Sequence, residues 1–398
     1  MSFDLIIGFA LGFADYFQRL TPFWFIHPIP LLSLISLIFA LKFFLQRSWD
    51  ELLPPKYLIL LFFWGTTLGI VRYFLFYKGE YVYLPILRQG TAFAIGIITY
   101  QVLRSKINSS FEKIALTISL TSIIFLIIGT YQYFTNHVVG YFPRTQALFT
   151  EPSYFGDYLV QAVAPCLIAC FLKWKTLSLK IQMALIGAAF LWSLNFIFVQ
   201  SATAILKMGT LALCFFVFYP STIRSKVLPS LIGFAILFLV LFLNQGYVGA
   251  VFTMALEVLE KPDMFFKYHT FYDRFYPIFA TFKELLTFPG IIGHGFGGDY
   301  YEFKNLFPVS THAEMVATKP TFSYFNSFAP KVILYLGLPG LIWIFYLFKR
   351  GFQTKNFMIK IGLMNILICT LWGVSNFSLA YVWLWLAMSD LNQKEIRF

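Results

Sequence analysis

Charge is what this sequence has least of: only 12% of its 398 residues are Asp, Glu, Lys or Arg, against roughly 25% in an ordinary soluble domain. So little charge excludes a soluble multidomain protein. Cysteine is scarce as well. Cys166, Cys170, Cys214 and Cys369 all sit inside apolar runs, and none falls between 244 and 329, so no disulfide framework is expected. Cys166 and Cys170, four residues apart, suit a shared helix face as small hydrophobes. Asp299, Glu302, His312 and Glu314 crowd one stretch, but no paired-histidine helix or Cys-x-x-Cys spacing accompanies them, and neither a metal nor a cofactor is expected. No Ser-His-Asp or nucleophile-elbow pattern occurs, which argues against a hydrolase of that type.

What is present is apolar: 59% of residues are hydrophobic and 21% aromatic, with mean hydropathy +0.73. The apolar blocks lie at 3–17, 31–46, 57–77, 84–103, 113–134, 153–172, 181–199, 201–219, 227–243, 331–348, 357–373 and 376–389. A bilayer has no water to satisfy backbone polar groups, so each block is most economically a helix. The expected fold is an all-α integral membrane protein of about 12 transmembrane helices. Its opening residues, MSFDLIIGFALGF, have no basic n-region, carry Asp4 and lack a small-residue cleavage site. They read as a first span or interfacial helix, not a cleaved signal peptide.

The net charge of +12 does not point to nucleic acid, because the basic residues share no solvated face with interleaved aromatics. Instead they recur in alternate short loops: Arg47 and Lys56, Arg104 to Lys113, Lys173 to Lys180, Arg224 and Lys226, Lys349 to Lys355, and Lys394 and Arg397. The positive-inside rule then puts both chain ends in the cytoplasm and segments 135–152 and 244–330 outside. No internal repeat is visible, so residues 1–398 read as one membrane domain with a large external loop at 244–330. That loop is too long for a passive connection and is expected to be partly helical over the membrane surface.

Three constellations carry candidate chemistry. In GYFPRTQALFTEPSYFGDY, residues 140–158, Arg144 precedes Glu151 and Pro152, where the next helix starts. Glu151 suits either a helix-start device at the positive end of the dipole or a general base at the mouth of the bundle. The second, residues 271–300, starts at Arg274 as an amphipathic stretch. Phe275, Ile278, Phe279, Phe282, Leu285 and Leu286 follow helical spacing, with Lys283 and Glu284 on another side. After Pro289 and Gly290, the run Gly293-His294-Gly295-Phe296-Gly297-Gly298 is expected to form a tight, exposed turn bringing backbone amides near an anion. Without a preceding strand and a following helix it is not a dinucleotide fingerprint. The third constellation is cationic: Arg72 and Arg88 near the outer ends of the third and fourth spans, and Lys207 inside the eighth. Ionisable groups at such depths are costly and normally face a cavity or partner, though an arginine near a span end also suits snorkelling. With Arg144 and Arg274 they would form an external pocket for a polyanion. Phe265, Phe266, Tyr268, Phe271, Tyr272 and Tyr276 offer flat faces for sugar or, equally, an aromatic belt at the membrane surface.

In order along the chain, several segments carry a resemblance: Arg144 with Leu148-Phe149-Thr150-Glu151-Pro152-Ser153, Ser201-Ala202-Thr203-Ala204, Arg274 with Pro289, Gly293, Gly295 and Gly297, and Asn326-Ser327 with Leu336-Gly337-Leu338-Pro339-Gly340. Together they resemble the O-antigen polymerase and ligase superfamily, over residues 140–348 in motif order. The resemblance implies a GT-C type membrane glycosyltransferase of the bacterial inner membrane with its active site facing the periplasm. The donor would be a glycan on undecaprenyl pyrophosphate, and the acceptor another lipid-linked repeat unit or lipid A core. A chain-length regulator and a flippase are the implied protein partners. The family's two external arginines map onto Arg144 and Arg274. Phe325-Asn326-Ser327 stands where ligases carry a His-Asn pair, and His312 is displaced from it, so the polymerase is favoured over the ligase. Arg72, Arg88, Lys207, Tyr272, His294, His312 and Asn326 would bind substrate. A transporter or flippase for lipid-linked sugars is the alternative outside the enzymes; no paired Gly/Pro-broken helices in matching halves support it.

Overall fold

The computed structural model describes residues 2–13, 30–48, 51, 53–76, 83–135, 138–139, 142–149, 151–219, 247–266, 268–301, 327–373 and 380–394. Among the described residues before the long loop at 244–330, the helices are α1 (Phe3–Leu11), α2 (Leu31–Leu45), α3 (Lys56–Phe76), α4 (Tyr83–Lys106), α5 (Phe111–Phe134), α6 (Pro152–Asp157), α7 (Ala164–Leu172), α8 (Leu179–Phe198) and α9 (Ala202–Phe218). A π-helix, Tyr158–Val163, joins α6 to α7. The loop contributes α10 (Tyr247–Glu260), α11 (His269–Glu284), α12 (Phe288–Ile292) and α13 (Gly298–Tyr301), and the chain continues with α14 (Phe328–Leu336), α15 (Leu338–Gln353), α16 (Phe357–Cys369) and α17 (Ala380–Lys394). Among the described residues the only strands are β1 (Val138–Val139) and β2 (Phe142–Pro143), an antiparallel pair with Val139 opposite Phe142. The expected span at 227–243 lies outside the described residues.

Local chemistry explains several boundaries. Ser201 caps α9 by accepting from the Ala204 amide, and Asn356 caps α16 by accepting from Met358 and Ile359. Pro152, Pro289 and Pro339 occupy first-turn positions, where a missing N–H leaves no bond unmade. The block expected as one span at 331–348 is instead two helices, α14 and α15, interrupted at Gly337 with φ 63°. A side chain there would collide with the Ile291 carbonyl and the Gly293 main chain, so the break admits the end of α12.

Among the described residues, four helical stretches are long and apolar enough to cross a membrane: Lys56–Phe76, Phe111–Phe134, Pro152–Leu172 and Leu179–Phe198. Shorter apolar helices add Leu31–Leu45, Ala202–Phe218 and Phe357–Cys369. α3 and α8 turn Leu60, Phe63, Leu75, Met183 and Phe190 outward, a surface suited to hydrocarbon and not to water. At the centre stands α17, apolar on every side and buried from Ala380 to Met388. Its Trp383 packs on Gly96 of α4 and its Trp385 on Gly362 of α16. All four cysteines are buried and free.

One end of the bundle closes on Asp390. Tyr100 donates its phenolic proton to that carboxylate, Arg350 pairs with it, and Arg104 approaches at 3.5 Å. Arg350 also donates to the Leu386 carbonyl at 3.1 Å, and Lys106 pairs with Glu51 at 3.1 Å.

Candidate functional site

The other end of α4 carries Arg88, and there the first turn of α9 packs against α6. Between α8 and α9 the chain reverses through Val199, Gln200 and Ser201, with Gln200 at φ 44°. Arg144 Nε donates to the Val199 carbonyl at 3.3 Å, and the Thr145 amide donates to the Phe198 carbonyl at 3.3 Å. The Gln132 amide fixes the loop behind Arg144: its oxygen accepts from the Gln146 and Ala147 amides at 3.1 and 2.8 Å, while its nitrogen donates to the Ala147 carbonyl at 2.8 Å. Ala147 adopts φ 47°. A left-handed backbone at a non-glycine residue costs on the order of 1–3 kcal/mol and concentrates at functional sites; here it occurs on both sides of the contact holding Arg144.

Arg274 reaches the same turn from α11. Its Nη1 donates to the Thr203 hydroxyl in the first turn of α9, and Ser327 Oγ donates to the Arg274 carbonyl at 3.5 Å. Two guanidinium groups from segments far apart in sequence are thus tethered four residues apart, at Val199 and Thr203. Glu151 holds the N-cap position of α6, yet its side chain makes no capping bond; its exposed carboxylate accepts from Ser153 Oγ at 3.0 Å. One turn of helix below Thr203, Lys207 is fully buried and bonds Asp157 at 2.5 Å. The ammonium is therefore engaged inside the bundle, one helical turn from the Thr203 hydroxyl that Arg274 addresses.

The glycine run departs further from expectation. Residues 293–299 are buried, not exposed. The amides of His294 and Gly295 donate to the Leu334 and Tyr335 carbonyls, and that of Phe296 to Gly65, each at 2.9 Å. These three amides are therefore taken up by main-chain carbonyls. The turn is a crossing point where the 244–330 connection passes between α3, α4 and α14. A Cβ at Gly295, φ 75°, would strike the Gly69 main chain. Phe296 fills the resulting space against Phe62, Phe93 and Tyr335.

His294, 1% exposed, links two charges. Arg72 Nη1 lies 2.5 Å from Nδ1, and Nε2 lies 2.9 Å from Glu284 Oε1. A guanidinium only donates, so Nδ1 accepts and Nε2 carries the proton donated to Glu284. This contact also reorients α11. Its buried face is Pro277, Ala280 and Thr281, while Phe279, Phe282 and Leu286 of the expected apolar face are exposed. Small residues let α11 approach α14, where Thr281 donates to the Pro330 carbonyl at 3.5 Å, and Glu284 turns inward to meet His294.

Arg88, half-buried, lies within electrostatic reach of Tyr154 and Tyr335. Tyr335 donates to Asp299 at 2.5 Å, and the buried Lys331 lies within reach of both Asp299 and Arg88. Asp157, Lys331 and Tyr335 are the residues that sequence reasoning missed. A charge inside an apolar run was the available signal for the first two. In the 244–330 loop, Tyr268 donates to Glu257, which raises its phenol above the ordinary range, and burial raises that of Tyr276. The Tyr272 side chain, His312 and Asn326 lie outside the described residues. Comparison with family models, with curated proteins and with solved structures finds no match to this chain.

Proposed function

We propose that this chain is a membrane glycosyltransferase of about twelve spans and GT-C type, which polymerises undecaprenyl-pyrophosphate-linked oligosaccharide repeat units on the outer face of a bacterial inner membrane. The observation that carries this reading is the tethering of Arg144 and Arg274 to one turn, at Val199 and Thr203. In the reaction, the acceptor hydroxyl oxygen bonds to the donor's anomeric carbon while the bond from that carbon to phosphate oxygen breaks. The lipid pyrophosphate leaves with the electron pair, and the hydroxyl proton passes to a base. Charge accumulates on the leaving diphosphate, so preorganised guanidinium groups stabilise the transition state more than the ground state. Arg144 and Arg274 take that role, with Arg88 and the His294-bound Arg72 adding field. Glu151, exposed, close after Arg144 in sequence and uncommitted to capping, takes the proton. An apolar groove of about 710 Å³ between α2, α3 and α4, lined by Ile70, Phe74, Leu87 and Ala94 among others, suits an isoprenoid chain.

The test is purified protein in liposomes given only lipid-linked repeat unit. The expected product is a ladder on undecaprenyl pyrophosphate, formed without lipid A core and persisting in EDTA. Intact monomer after incubation would sink the reading. Glu151→Gln should keep abundance and slow transfer by about 10²-fold or more; full activity would return Glu151 to the α6 terminus.

A further inference from the structure

The Asp157 carboxylate faces two cations at once, Lys207 and Arg274. Its Oδ1 bonds Lys207 at 2.5 Å, with side-chain exposures of 7% and 0%, and Arg274 lies within its electrostatic reach. Arg274 and Lys207 address α9 one turn apart, the first through Thr203, the second as part of the helix, so the three contacts share one face. The backbone is built around this point. Gly156 brings α6 close enough to α9 that a Cβ would lie 2.7 Å from that of Ala204. Directly after Asp157 the helix widens into the π-turn Tyr158–Val163, a feature that recurs at functional sites. As a mere structural pair, Asp157 and Lys207 gain little, because desolvation offsets their attraction and an apolar pair of similar size serves as well.

We infer that Asp157 is a positioning residue: anchored by Lys207, its carboxylate holds the Arg274 guanidinium over the α8–α9 turn, in the place where the leaving diphosphate must meet it. The inference rests on the proposed glycosyl transfer and extends it to a residue that does not itself touch substrate. Lys207 then fixes Asp157, and Thr203 gives Arg274 its second bearing.

The test compares four variants of the full chain in liposomes, reading purified yield and kcat on the lipid-linked repeat unit. Asp157→Asn strands a buried ammonium and is expected to lower yield, so the decisive variant is Asp157→Asn with Lys207→Met, which removes both charges and restores the fold. Its yield should match wild type while kcat stays down about 10²-fold, the scale of a displaced catalytic group. Adding Arg274→Ala should bring kcat to within about threefold of Arg274→Ala alone, since both changes remove the same contribution. Recovery of wild-type turnover in the double variant would overturn the inference, as would losses that multiply in the triple variant. Wild-type turnover by Arg274→Ala itself, or no transfer by the wild-type chain, would instead overturn the proposed function, and the inference with it.

Discussion

At the Asp390 end, Arg350 and Arg104 converge on one carboxylate that also accepts a hydrogen bond from Tyr100, whereas at the α9 end Arg144 donates to a carbonyl, Arg274 to a hydroxyl and Arg72 to an imidazole nitrogen. A neutral acceptor fixes a guanidinium without cancelling its charge, while a carboxylate fixes and cancels together. The α9 end adds neutral acceptors to the one carboxylate within reach of Arg274, that of Asp157, which Lys207 already engages; at the other end both arginines address the Asp390 carboxylate itself, and it closes the bundle.

Substitution at each end should therefore fail in a different way. Asp390→Asn leaves Arg350, Arg104 and Tyr100 facing an uncharged group in a half-buried site. The expected loss is about 3–5 kcal/mol of stability, read as a lower thermal midpoint, with turnover per folded molecule unchanged. Arg274→Ala and Arg144→Ala should show the inverse, transfer slowed by about 10² to 10³-fold at wild-type yield; a yield collapse would make the two ends alike. Gly295→Ala sharpens the contrast within the α9 end. Its φ of 75° and the Gly69 main chain behind it predict a loss of roughly 1–3 kcal/mol in stability with diphosphate affinity retained. A change in affinity alone would restore the anion-cradle reading of the turn. Glu51→Gln should do least. Its pair with Lys106 is partly exposed on both sides, and a shift of about 1 kcal/mol or less is expected in chemical denaturation.

The helical blocks are legible in the sequence because hydrocarbon imposes length and polarity on each one; the expected 57–77 and 113–134 appear as Lys56–Phe76 and Phe111–Phe134. The partners of buried charges are not legible. An acid in an apolar run announces that something must neutralise it, but Asp157 finds Lys207 fifty residues away, across a helix contact that periodicity does not encode. The glycine run is ambiguous for another reason. Positive φ at Gly293, Gly295 and Gly297 serves an exposed anion nest and a buried crossing equally well, and only the carbonyls waiting on α3 and α14 decide between them. For α11 the helical period is right and the inward face is not, since Glu284 is drawn in by His294 while Phe279 and Phe282 face outward.

The seam at residues 293–298 also fixes an order of assembly. Its main chain bonds Gly65, made early by the ribosome, and Leu334 and Tyr335, made late. However soon α3 and α4 enter the translocation machinery, this seam stays open until α14 has been synthesised. The Arg72–His294–Glu284 link hangs from it, so a chain truncated before α14 would carry both arginine segments and the α8–α9 turn that tethers them, yet lack the helix against which α11 packs.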